Sequence, residues 1–164
     1  MVSQSIRNKL NEQITLEFFS SNLYLQMGAW CTWKGYAGAA GFLLLHAQEE
    51  YGHMSKLFHY LGETGGLAVI TAIEKPQSEF ESLLEVFTLI LEHEKLVTSK
   101  INDLVDMAFQ EKDFSTFNFL QWYVAEQHEE ETLFTSILDK IRMIGAEGRG
   151  LYLIDKEIGK LAVK

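Results

Sequence analysis

The chain has 164 residues, 47% of them hydrophobic and 23% charged, an ordinary balance for one globular domain that can bury its own core. Its net charge of −9 argues against a nucleic-acid partner and an anionic membrane surface, and suits a protein that collects cations. Cys31 stands alone, MVSQSIRNKLNEQ has no apolar signal core, and no stretch is long enough to span a bilayer, so a soluble cytoplasmic protein is expected.

The segment from about Ile6 to Trp33 carries helical periodicity, and Lys34-Gly35 ends it. A second helix is expected from about Ala37 to Glu63, closed by Gly65-Gly66. LAVITAIEKPQSEF follows, rich in β-branched residues and holding the only proline, Pro76, with no sustained helical stripe. A third helix fits from about Ser82 to Gln110. Asp113 or Ser115 could cap a fourth, running from about Phe114 to Ile144. Gly145, Gly148 and Gly150 break that helix, and LYLIDKEIGKL reads as a short fifth.

Unequal connections fix the topology. The short links after Trp33 and Gln110 force antiparallel hairpins, whereas the 17-residue link from Gly65 to Glu81 can run the length of a bundle. Helices two and three are then parallel, giving a four-helix bundle with one long crossover.

Each helix carries polar groups on its apolar face. The stripes run Leu10, Ile14, Glu17, Ser21, Tyr24, then Phe42, His46, Glu50, His53, Leu57, Tyr60. In the second hairpin they run Phe87, Ile90, Glu94, Val97, Ile101 and Leu120, Tyr123, Gln127, Glu130, Phe134, Ile137, Ile141. Glu17 and Glu50 stand 33 residues apart, as do Glu94 and Gln127, so each pair meets at one height across its hairpin. Burying four carboxylates costs several kilocalories per mole each unless something compensates, and no lysine or arginine lies on these stripes. A bound cation is therefore expected. Four carboxylates balance two divalent ions, and oxygen-rich ligation with one imidazole suits iron or manganese better than structural zinc.

Glu50-x-x-His53, joined by Glu17, Glu94 and the Gln127-x-x-Glu130 pair, resembles the di-iron centre of ferritin-like carboxylate proteins, a recognised metal site of helix bundles. More specifically, the chain resembles bacterial non-haem ferritins over essentially its full length, in LNEQ, HAQEE, FNFLQWYV, EQHEEE and GLYLIDKE. The resemblance implies an all-α, ferritin-like four-helix bundle with a short fifth C-terminal helix. It assigns Glu17, Glu50 and His53 to a first iron, with Glu50 bridging to a second iron held by Glu94 and Glu130. Gln127 is then either a ligand or a hydrogen-bonding neighbour. Glu49, Glu126, Glu129 and Glu130 match a third iron site toward an inner cavity, and Tyr24 matches a tyrosine beside the centre, a candidate electron donor.

The family implies a hollow homo-oligomeric shell of twenty-four subunits, a ferroxidase that oxidises Fe(II) with dioxygen or hydrogen peroxide and stores ferric mineral inside. Residues 151–161 would line a four-fold channel rather than merely dock on their own bundle. Gln127 and Glu130 depart from a symmetric Glu-x-x-His repeat, which suits an iron transit site better than a permanent cofactor. Bacterioferritins carry a haem-ligating methionine directly after the bridging glutamate; here that position is Tyr51, so no haem is expected.

Blander readings stand beside these. Glu49, Glu126 and Glu129 could be a solvated acidic patch, Tyr24 a core tyrosine and Trp122 simple packing. His46 reads as a neighbour of the centre or a core residue rather than a ligand. His128 and Glu131 read as surface residues, and Cys31 as a small apolar one. The rival functions are a di-iron oxygenase acting on an organic substrate and a metal-free interaction module.

Overall fold

The computed structural model describes residues 2–145 and 147–162. Its elements are α1 (Gln4–Lys34), α2 (Ala37–Glu63), α3 (Leu83–Gln110), α4 (Phe114–Ile144) and α5 (Gly148–Leu161). Local chemistry sets the boundaries. Ser3 Oγ accepts from the Ile6 N–H at 3.2 Å, which starts α1 earlier than the apolar pattern suggests. Gly35 closes that helix at φ 85°, a conformation that costs glycine nothing.

At the end of α2, Gly65 adopts φ 78° and the Gly66 N–H returns to the Leu61 carbonyl at 2.8 Å, so Gly65-Gly66 is the stop the sequence marked. Ser82 lies outside α3 as its cap, accepting from the Glu85 N–H at 3.1 Å. Asp113 rather than Ser115 caps α4, accepting from the Thr116 N–H at 3.1 Å and its hydroxyl at 2.6 Å. The fifth helix begins at Gly148, three residues before the expected LYLIDKEIGKL, so Gly148 and Gly150 lie within it.

The long crossover runs beside α1. Asn11 binds the Leu67 carbonyl and the Val69 N–H at 3.2 and 2.7 Å, Thr15 and Thr71 pair their hydroxyls, and Phe80 packs edge-on against Trp30. The segment contains no helix or strand and carries the chain from one end of the bundle to the other. Hence α2 and α3 are parallel, and the fold is a four-helix bundle with a short C-terminal helix.

The interior is two apolar clusters with a polar layer between them. One gathers Tyr24, Met27, Phe42, Phe87, Ile90 and Phe134 near the α5 end. The other gathers Ile6, Leu10, Leu57, Val97, Ile101 and Leu120. Two stripe positions need correction: Ser21 and Tyr60 are half-buried, whereas Ser20 is fully buried. Ser20 faces His93 of α3, while Ser21 donates to the Ala47 carbonyl of α2 at 2.7 Å.

Fifth-helix docking is local and polar at its heart. Tyr36, which precedes α2, offers no side-chain cap. The Asp155 carboxylate of α5 does so instead, accepting from the Gly38 and Ala39 N–H groups at 3.0 and 2.8 Å. A Cβ on Gly38 would lie 1.9 Å from the Asp155 carbonyl oxygen, so only glycine lets the two helices approach this closely. Ile154 and Ile158 are buried, while Tyr152 and Leu153 stay exposed. The helix thus docks on its own bundle and turns Tyr152 and Leu153 outward beside Lys156 and Lys160.

Candidate metal centre

The polar layer is built from mid-helix residues of all four long helices. Glu17, Glu50, His53, Glu94, Gln127 and Glu130 are all buried there, as the stripes require. Glu50 and His53 share one face of α2, with His53 Nδ1 3.3 Å from Glu50 Oε2. One ligating atom each of Glu17, Glu50 and His53 falls within 4.8 Å of the others. The Tyr123 hydroxyl donates to the His53 carbonyl at 2.6 Å and anchors that turn of α2.

Around Glu94 the geometry is different. The Tyr24 hydroxyl donates to Glu94 Oε1, and Gln127 Nε2 donates to Glu94 Oε2 at 3.0 Å. Tyr24 is therefore a direct partner of the layer rather than a bystander in the core. Gln127 appears here as a hydrogen-bond donor to a carboxylate.

A second convergence involves His46, Glu49 and Glu130, again within 4.8 Å. His46 Nε2 lies 3.1 Å from Glu130 Oε2, and Nδ1 lies 3.5 Å from Glu49 Oε2 without forming a hydrogen bond. Glu126 reaches toward the first group, its Oε1 3.7 Å from His53 Nε2. Glu49, Glu126, Glu129, Glu130 and His46 line a cavity of about 420 Å³, capped at one side by Lys160 and Leu161 of α5. Glu129 is exposed, Glu49 and Glu126 half-buried.

Electrostatics marks the layer as incomplete. Among the described residues no lysine or arginine is buried, while four carboxylates are. Burial pushes Glu17 well above the ordinary carboxyl range, and Glu50 adds to the effect. Burial does the same to Glu50, reinforced by Glu94 and Glu130. Glu94 is raised by burial, against the opposing donation of Tyr24 and Gln127. Glu17 Oε2, Glu50 Oε1 and His46 Nδ1 are buried without a hydrogen-bond partner. Such orphans are rare in native proteins and fit groups that wait for a cation. Hard carboxylate oxygens with an imidazole suit a divalent first-row metal.

Residues 7–144 match the ferritin family, described as a ferritin-like domain. This chain belongs to the ferritin family. It is 61% identical over 164 residues to a probable bacterial non-heme ferritin-like protein of Haemophilus influenzae, covering all of this chain and 99% of that protein. It is 53% identical over 161 residues to the bacterial non-heme ferritin of Escherichia coli, covering 98% of each. Among solved structures, an open pore ferritin from the archaeon Archaeoglobus fulgidus superposes with a TM-score of 0.94 at 43% identity, over 97% of this chain and 98% of that one. Chlorobium tepidum ferritin superposes at 0.87 with 50% identity, over 98% of both chains.

Several residues of the ferritin layer escaped the sequence reading. Gln13 is buried and donates to Glu17 Oε1 at 2.8 Å; it lay within LNEQ, four residues before Glu17, and the helical spacing alone could have marked it. His46, by contrast, contacts Glu130 as the expected neighbour of the centre would. Glu131 is not a plain surface residue: it is half-buried and accepts from the Thr98 hydroxyl at 2.6 Å. His128 is exposed, as expected. Trp122 packs edge-on to His53 and Tyr123, with the Lys56 ammonium 3.8 Å over its ring. Cys31 is buried.

Proposed function

We propose that this chain is a ferroxidase and an iron-storage subunit. Glu17, Glu50 and His53 hold one Fe(II), and Glu50, Glu94 and Glu130 hold a second. The convergence of Glu17, Glu50 and His53 in a buried layer with orphaned carboxylate oxygens carries this reading. Two Fe(II) ions give up two electrons. Dioxygen takes them with two protons to become hydrogen peroxide, or hydrogen peroxide takes them with two protons to become two waters. Where a third Fe(II) at the cavity station and Tyr24, hydrogen-bonded to Glu94, each add one electron, dioxygen takes four electrons and four protons to become two waters, and the tyrosine is left as a radical.

Iron is cargo here, not a resident cofactor. The acid-lined cavity of Glu49, Glu126, Glu129 and Glu130 supports a third station, through which ferric product leaves the layer. Gln127 is a hydrogen-bonding neighbour of the second metal rather than its ligand, consistent with its N–H facing Glu94. Tyr51, half-exposed beside Glu50, offers no thioether to haem iron, and the relatives named above are called non-heme.

The subunits form a shell of twenty-four. Trp33, Leu67 and Met143 are 76%, 79% and 83% exposed, which favours burial between subunits. The exposed Tyr152 and Leu153 of α5 support its facing other subunits along a channel. No described helix is long and apolar enough to cross a membrane, and the shell works in the cytoplasm, free of nucleic acid. Size-exclusion chromatography should give a particle of twenty-four chains. Iron titration in air, followed by ultraviolet absorbance, should show oxidation well beyond two irons per subunit. A monomer that leaves Fe(II) oxidation at the buffer rate would refute the reading.

A further inference from the structure

Two oxidisable side chains each touch a residue of the metal layer. The Tyr24 hydroxyl donates to Glu94, and the Trp122 ring packs edge-on to His53 with centroids 5.3 Å apart. Their surroundings differ in charge. The Lys56 ammonium, one turn after His53 on α2, sits 3.8 Å over the Trp122 ring. Among the described residues it is the closest cation to any aromatic ring; Lys34 stands 4.5 Å from the Trp33 centroid and 5.7 Å from that of Trp30. The lysines that pair with carboxylates among the described residues are Lys9 and Lys160, so no carboxylate cancels the Lys56 charge.

The two rings give up electrons differently. A phenol loses its electron and proton together and needs a base at hand, which for Tyr24 is the Glu94 carboxylate. An indole loses its electron first and becomes a radical cation, whose N–H proton leaves afterwards. Trp122 is 37% exposed, so water can take that proton and no protein base is required. What governs its oxidation is then the field at the ring. The negative face of a neutral indole attracts an ammonium group. Removing an electron turns that attraction into repulsion between two positive charges. Lys56 therefore makes Trp122 harder to oxidise, while Tyr24 has no cation over its ring among the described residues.

We propose that Lys56 is a positioning residue for the electron donor: its charge over the ring keeps Trp122 reduced and directs the one-electron oxidation to Tyr24. Without that charge, Trp122 competes for the step. Three Fe(II) ions and Trp122 then supply the four electrons that dioxygen takes with four protons to become two waters. The indole N–H proton goes to water, and a neutral indolyl radical remains, open to attack by further dioxygen. This inference rests on the reading of the layer as a ferroxidase with Tyr24 as its donor.

The test compares Lys56→Met and Lys56→Gln, which remove the charge, with Lys56→Arg, which keeps it. Metal-free protein is first exposed to the azide radical, a neutral one-electron oxidant, and oxygen added at each tryptophan is read by peptide mass spectrometry. Loss of the charge should raise oxidation of Trp122 about two- to fivefold, the equivalent of one exposed cation–π contact, and leave Trp30 and Trp33 unchanged. Lys56→Arg should match the wild type. The same proteins are then mixed with Fe(II) and oxygen and freeze-quenched for electron paramagnetic resonance. Wild type and Lys56→Arg should give a tyrosyl signal, whereas Lys56→Met and Lys56→Gln should add an indolyl signal that narrows when tryptophan is ring-deuterated. Equal Trp122 oxidation in all four proteins, or Lys56→Arg behaving as Lys56→Met, would overturn the proposal. So would an azide-radical effect with no indolyl signal after iron oxidation. Wild-type protein that oxidises Fe(II) only at the buffer rate would instead defeat the ferroxidase reading, and the proposal with it.

Discussion

The Gln127 amide donates to the Glu94 carboxylate at 3.0 Å, although 33 residues separate the two. The same separation relates Glu17 and Glu50, whose carboxylates converge with His53. Each pair straddles a hairpin whose turn lies midway, so equal spacing becomes equal height. The result is a layer of four buried carboxylates that folding alone would not favour, set between two well-packed apolar clusters. Stability is given up at the place where chemistry is proposed.

That trade makes Glu50 a residue whose loss should have opposite effects on stability and function. Glu50→Ala should slow the fast phase of Fe(II) oxidation by about 100-fold or more, since even neighbours of ligands typically cost 10–100-fold. Glu50→Gln should also stabilise the metal-free protein by about 1–3 kcal/mol, because a buried charge with an unpaired oxygen is removed. Urea unfolding and stopped-flow absorbance measure the two effects. Unchanged kinetics would remove Glu50 from the centre.

The raised carboxyls also set a pH dependence. Burial holds Glu17 and Glu50 well above the ordinary value of 4.5, so the native state binds more protons than the unfolded state above that pH. Their contribution favours folding most below the ordinary value and is lost as pH rises through the raised one. His93 acts oppositely: burial lowers it to about 4 from 6.5, so its contribution is complete above 6.5 and declines as pH falls toward 4. From pH 4.5 up to the raised values, the carboxyls should make the metal-free protein lose stability as pH rises, against the opposing gain from His93 below 6.5. Saturating divalent metal should flatten that slope and release protons into unbuffered solution. A slope that is the same with and without metal would contradict the assignment.

Tyr24 touches the layer through Glu94, which gives its role a spectroscopic signature. Freeze-quenched samples of Fe(II) mixed with oxygen should show a tyrosyl radical signal by electron paramagnetic resonance. Tyr24→Phe should abolish that signal while the shell still assembles. Persistence of the same signal in the variant would assign the electron donor elsewhere.

The docking of α5 rests on Asp155 acting as the missing cap of α2. Asp155→Ala should cost about 1 kcal/mol of stability, the usual worth of a cap. Hydrogen exchange should speed up along α5 and in the first turn of α2, leaving the metal layer protected. Gly38→Ala should be worse, since the new methyl would meet the Asp155 backbone. Unchanged exchange in both variants would show that the apolar contacts of Ile154 and Ile158 suffice.

Most of this layer is legible in the amino-acid sequence. Glu17, Glu50, Glu94 and Glu130 interrupt apolar stripes, and helical period reports directly which face a residue takes. Gln13, Thr98 and Glu131 were not legible as partners, because a polar residue at a stripe edge does not say what it reaches across the bundle. Ser21 was misjudged because one step along a helix turns the face by about 100°, and His93 of α3 and Ala47 of α2 settle which serine is covered. The Asp155 cap lay beyond reach for a similar reason, since it joins residues 117 apart with no sequence signal between them. Asp113 and Ser82 were easier, because caps act within one turn.

Anomalous scattering from a crystal soaked in Fe(II) tests the central claim most directly. The account predicts one iron among Glu17, Glu50 and His53, a second among Glu50, Glu94 and Glu130, and a third toward Glu49, Glu126 and Glu129. Iron peaks confined to the protein surface, with the Glu17–Glu50–His53 layer empty, would contradict it.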